Sequence, residues 1–134
     1  MSAAALHPHL TPAERRRLFR RGAELFNRGE LFACHEAWEE IWRSTTPEPR
    51  DLFQGLIQVA VGLYHFTVRS RPRVARRVLA KGRRRLERVA DRPHGLDLAR
   101  LLAEVAVWED WLAAPSGTPP ELPRIAVRDP DALL

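Results

Sequence analysis

Apolar residues recur at helical spacing in five successive segments of this 134-residue chain, and each segment is bounded by proline or glycine. No other feature constrains the fold as strongly. Thr11-Pro12-Ala13-Glu14 reads as a capping box with proline at the first helical position. It opens a helix carrying Leu18, Phe19, Gly22, Leu25 and Phe26 on one side, and Gly29 ends it. The second helix is predicted from near Glu30 to about Ser44, where Thr46-Pro47-Glu48-Pro49 must break it. A third, Asp51 to about Ser70, is apolar on most faces and therefore central. Pro72 opens a fourth, to about Asp91, with Val74, Val78, Leu79, Leu86 and Val89 at helical spacing and Arg92-Pro93-His94-Gly95 as its closing turn. The fifth runs from Asp97 as N-cap to Ala114 and aligns Leu98, Leu101, Leu102, Val105, Trp108 and Leu112.

No stretch alternates apolar and polar residues with β-branched enrichment, so the expected fold is all-α. It is a single-domain bundle of about five helices with short loops, spanning residues 1–114. Residues 115–134 form a Pro-rich C-terminal tail, of which Leu122–Val127 is expected to lie extended across the bundle. The length suits one hydrophobic core.

Several function classes have no support. A single cysteine, Cys34, cannot form an internal disulfide, and no CxxC pair is present, which points to a reducing, cytoplasmic setting. The N-terminal residues lack the basic start and apolar run of a signal peptide. The longest apolar region, Leu52–Phe66, is interrupted by Gln54, Gln58 and His65, so no membrane span is expected. Phosphate-loop, dinucleotide and nucleophile-elbow motifs are missing.

The candidate chemistry lies on the second and third helices. In Cys34-His35-Glu36-Ala37-Trp38-Glu39-Glu40-Ile41-Trp42, the apolar stripe is centred on Leu31, Trp38 and Trp42. His35 falls inside its edge and Glu39 at its border, one turn apart, so the two can converge on one atom. Gln54, Gln58 and His65 form a narrow polar ridge on the third helix, which a short antiparallel connection would bring to face that pair, with Gly55 and Gly62 permitting close approach. In the functional reading, His35, Glu39 and His65 hold a divalent metal (Zn, Fe or Mn) with Gln54, Gln58 and Trp42 in support. In the other, the same groups form a buried hydrogen-bonded network that fixes helix register in an interaction protein. Neither names a substrate or a reaction. His35-Glu36 is not a metalloprotease motif, because Glu39 stands where the second histidine would be. Cys34 is expected to line the core, and Trp108 likewise, while Trp111 covers the tail or a dimer contact. His7, His9 and His94 are expected at the surface.

These residues resemble the domain-of-unknown-function 309 family, small helical proteins marked by an HxxxExx(W/Y) motif. Here the motif stands as His35-Glu-Ala-Trp-Glu39-Glu-Ile-Trp42. Phe26-Asn27-Arg28-Gly29 upstream and Gln54-Gly55-Leu-Ile-Gln58 through His65 downstream fit the same pattern. The resemblance covers about residues 17–90, with a weaker echo in the fifth helix and Pro123-Arg124-Ile125. It implies an all-α fold and a metal role for His35 and Glu39, with no established activity.

Charge offers a separate reading. The net charge is +5, and 21 of the 22 basic residues are arginine. Arg69–Arg92 alone carries +9, which leaves −4 on the rest of the chain. On the fourth helix Arg77, Lys81, Arg84 and Arg88 form a stripe opposite the apolar face, a candidate surface for nucleic acid or an acidic protein. No aromatic residue lies in that segment to stack on bases. A solvated face, or one paired with acidic residues of another helix or of a second copy in a homo-oligomer, is the alternative.

Overall fold

The computed structural model describes residues 10–45, 50–92 and 94–129. Among these described residues five helices follow in order: α1 Pro12–Asn27, α2 Leu31–Thr45, α3 Arg50–Thr67, α4 Pro72–Glu87 and α5 Leu98–Ala113. The all-α reading holds, with each boundary within a few residues of its expectation. The expected break at Thr46–Pro49 lies outside the described residues.

Local chemistry sets these ends. Thr11 caps α1 as a full capping box: its side chain accepts from the Glu14 N–H while Glu14 accepts from the Thr11 N–H. At the other end Gly29 takes φ +78°, with Gly29 N–H donating to Phe26 O and Glu30 N–H to Leu25 O. That is a Schellman turn, and it reverses the chain in three residues. Asp97 caps α5 by accepting from Arg100 N–H.

Each helix packs on its successor. α3 and α4 share the most extensive contact and run antiparallel, since Gly55 lies against Leu86, Gly82 against Val59, and Gly62 against Leu79. Gly82 meets Gly55 and Val59 backbone to backbone, so the two helices touch where a side chain would hold them apart. The glycines of α3 thus serve its packing on α4.

The core joins all five helices and the tail. Phe19, Phe26, Trp38 and Phe53 form one aromatic cluster, with Trp38 stacked on both Phe19 and Phe26. The Trp38 indole N–H donates to Phe19 O across α1. Phe66, Trp108 and Trp111 form a second cluster at the α3–α5 end.

The tail segment lies extended over the bundle. The Asn27 side chain both donates to and accepts from the Ile125 backbone, Trp108 N–H donates to Glu121 O, and an isolated bridge pairs Leu96 with Val127. Trp111 covers the start of the tail by donating to Ser116 O. His94 departs from expectation. It is buried, because its Nδ1 accepts from Leu96 N–H and holds the turn into α5. His7 and His9 lie outside the described residues.

Candidate functional site

The aromatic core fixes how α2 is turned. Trp38, Cys34, Ile41 and Leu31 are buried, so His35 and Glu39 are carried to the border facing α3, each about 30% exposed. His35 Nε2 stands 3.3 Å from Glu39 Oε1, the i, i+4 meeting that the spacing implied.

Two contacts set the register of α2 against α3. Phe32 packs on Tyr64 at one end, with ring centres 5.9 Å apart. At the other, Glu39 and Trp42 share a pocket of about 130 Å³ with Gln54, Ile57 and Gln58. The helices are therefore antiparallel neighbours, and Glu39 faces Gln58 while Trp42 faces Gln54. Trp42 is half-buried, and its outer face carries the Arg50 guanidinium at 5.2 Å.

This register joins five of the six polar-cluster residues: His35 meets Glu39, which shares the pocket with Trp42, Gln54 and Gln58. His65 is half-buried and in ring contact with Tyr64, while Phe32 is in ring contact with both His35 and Tyr64. Among the described residues, no group of three or more His, Cys, Asp or Glu side chains is placed to hold a metal ion. Of the expected His35, Glu39 and His65 set, His35 and Glu39 are in direct contact.

Two polar atoms of the ridge are buried without a hydrogen-bond partner among the described residues: Gln58 Oε1 and His65 Nδ1. A buried acceptor left unpaired costs about 1–3 kcal/mol. Gln58 Oε1 belongs to a pocket-lining residue facing Glu39, so its missing partner and the carboxylate concern the same small space.

Cys34 adds no reactivity. It is fully buried, and burial pushes its thiol well up from the ordinary range, against a weaker opposing contact from the Phe26 backbone.

The basic face divides differently from the stripe. Arg77, Lys81, Arg84 and Arg88 are all exposed. Arg88 lies 3.8 Å from Asp51, which also takes Arg85 at 3.2 Å, so one acidic residue of a neighbouring helix meets one end of the stripe. Arg83, off the stripe, is held by Glu109 of α5 through two bonds of 2.6 and 3.2 Å and by Glu87 at 2.9 Å. Those bonds, led by Glu109, hold the Arg83 guanidinium above its ordinary value. Glu109 is the residue that the sequence reading missed. The signal was present: it sits four residues after Val105 on the apolar stripe of α5, where an acid needs a cationic partner.

No described helix is long and apolar enough to cross a membrane. No curated protein and no solved structure matches the chain. A family model does: the one described as Domain of unknown function (DUF309) matches residues 19–78, which contain His35, Glu39, Gln54, Gln58 and His65. Over that segment the chain is similar to the DUF309 family.

Proposed function

We propose that the α2–α3 pocket is a binding site for a divalent cation, held by His35 and Glu39 with the Gln58 amide oxygen as a third donor. The observation that carries this is the unpartnered Gln58 Oε1 opposite the Glu39 carboxylate, beside an imidazole already 3.3 Å from that carboxylate. One nitrogen, one carboxylate and one amide oxygen form a mixed donor set. It suits zinc, manganese or iron(II) better than a thiolate-seeking ion. Two charged or aromatic protein donors are fewer than a closed structural site uses, which fits an open site with exchangeable positions.

The chain's own contributions differ by residue. Glu39 supplies the negative charge, and His35 a neutral nitrogen ligand. Trp42 and Ile57 wall the pocket and limit water on one side. Gln54, next to Gln58 along α3, is positioned to hydrogen-bond a ligand rather than the ion. A bound cation would supply Lewis acidity to whatever ligand reaches the pocket.

Thermal unfolding with chelator, and with Zn²⁺, Mn²⁺ or Fe²⁺, tests the proposal. An ion at about 100 times its dissociation constant stabilises by about 2.7 kcal/mol, a shift of several degrees. That shift is expected in the native chain and is expected to vanish in His35→Ala. A chain whose melting ignores every ion, while His35→Ala melts lower under all conditions, has a polar cluster that serves helix register alone.

A further inference from the structure

A trough of about 640 Å³ lies elsewhere, between α4 and α5. Arg73, Arg76, Arg77, Arg83 and Arg84 line it against a single carboxylate, Glu109. Its apolar lining is small, consisting of Ala80, Leu112 and Ala113. That carboxylate is already committed. It grips Arg83 through both oxygens, while the Glu109 carbonyl accepts from Arg76 Nε at 3.1 Å. Two guanidinium groups are thereby fixed in place with N–H groups to spare. The other three, Arg73, Arg77 and Arg84, make no hydrogen bond or ion pair among the described residues. Five guanidinium groups crowded on one face repel one another unless an anion joins them.

The geometry points to a binding site for the phosphate backbone of a nucleic-acid duplex in this α4–α5 trough. Three features choose that ligand. Guanidinium forks match phosphate oxygens two by two, and four of the five positive charges here lack an internal counter-charge. The trough is partly open to solvent and lined mainly by guanidinium groups, unlike the apolar walls of a cofactor pocket. From Arg73 to Arg84 the helix rises about 16 Å, which laid along a duplex axis matches the rise of about five phosphates of one strand. No aromatic side chain lines it, which disfavours a single strand whose bases need stacking partners. On the far side of Arg76 and Arg83, Glu87 and Asp110 line an adjacent depression, which confines phosphate to the Arg73–Arg84 side. The trough is distinct from the cation pocket, although Arg84 at its edge also lines a depression with Gln58.

Fluorescence anisotropy with a labelled 20-base-pair DNA duplex and its RNA counterpart, over a salt series, tests the assignment. Three phosphate contacts give a loss of about 40-fold in affinity for a fourfold rise in salt. The native chain is expected to lose at least that much. Replacing Arg73, Arg77 and Arg84 together by Ala is expected to flatten the salt dependence by about three contacts without lowering the melting temperature. Replacing Arg16, Arg17 and Arg20 of α1 is expected to leave it unchanged. Any of four results overturns the proposal: no duplex binding at low salt, equal losses from the two triple variants, a single strand bound more tightly than the duplex, or tripolyphosphate or polyglutamate competing as well as unlabelled duplex.

Discussion

Single residues decide how the elements of this chain can meet. Gly22 is the sharpest case: a Cβ there would lie 2.6 Å from Trp38 Cδ1, inside the indole that stacks on Phe19 and Phe26. Gly22→Ala should cost about 1–3 kcal/mol despite alanine's better helix propensity, because a buried indole cannot move aside. Chemical denaturation checks this, and an unchanged midpoint would mean the indole shifts freely. Asp97 gives a pH effect. Its bond from the Arg100 N–H, then its contact with Arg128, holds the carboxyl below its ordinary value. A lowered folded value means the contribution is complete above the unfolded value of about 3.9 and is lost as pH falls through the folded one. Melting temperatures of Asp97→Asn and the native chain should therefore differ at neutral pH and converge at strongly acid pH. A constant difference across that range would remove the carboxylate from the explanation.

At the scale of elements, helix existence was legible because punctuation and period agree. Thr11, Pro12, Gly29, Pro72 and Asp97 each sit at the boundary their backbone chemistry demands. Helix pairing was legible only in part. The spacing of His35 and Glu39 is a property of one helix, so it transfers directly to three dimensions. The offset of α3 against α2 is set by tertiary packing, namely Phe32 on Tyr64 and Trp42 beside Gln54, and no one-helix wheel contains it. His94 was misplaced for a related reason: a turn residue looks exposed in sequence until Leu96 and the tail close over it. The α3–α4 crossing gives a comparative test. A Cβ on Gly82 meets backbone, Gly55 O at 2.9 Å and Val59 N at 3.1 Å, whereas on Gly55 the first contact is the Leu86 side chain. Gly82→Ala should therefore lower the melting temperature more than Gly55→Ala, since a leucine can change rotamer and a backbone cannot. The reverse order would contradict the close crossing.

Across the whole molecule, the tail ties the ends of the bundle together. Asn27, at the end of α1, forms two hydrogen bonds with Ile125, 98 residues away, and Ile125 is buried. Asn27→Ala should release this segment, leaving the Ile125 N–H unpaired at a cost of about 1–3 kcal/mol. Faster amide exchange at residues 121–127 than in α3 would show it, and uniform protection would contradict the clip. The charge distribution is organised at this scale as well. The arginine trough lies between α4 and α5, and the His35–Glu39 pocket between α2 and α3, while Gln58 also borders Lys81, Arg84, Arg85 and Arg88 of the basic face. The central claim concerns the second of these. Isothermal titration of Mn²⁺ or Zn²⁺ into the native chain, His35→Ala, Glu39→Gln and His65→Ala tests it most directly. The account expects one ion per chain in the native protein and in His65→Ala, and at least a tenfold weaker affinity in His35→Ala and Glu39→Gln. Native-like binding in His35→Ala, or none in the native chain, would contradict it.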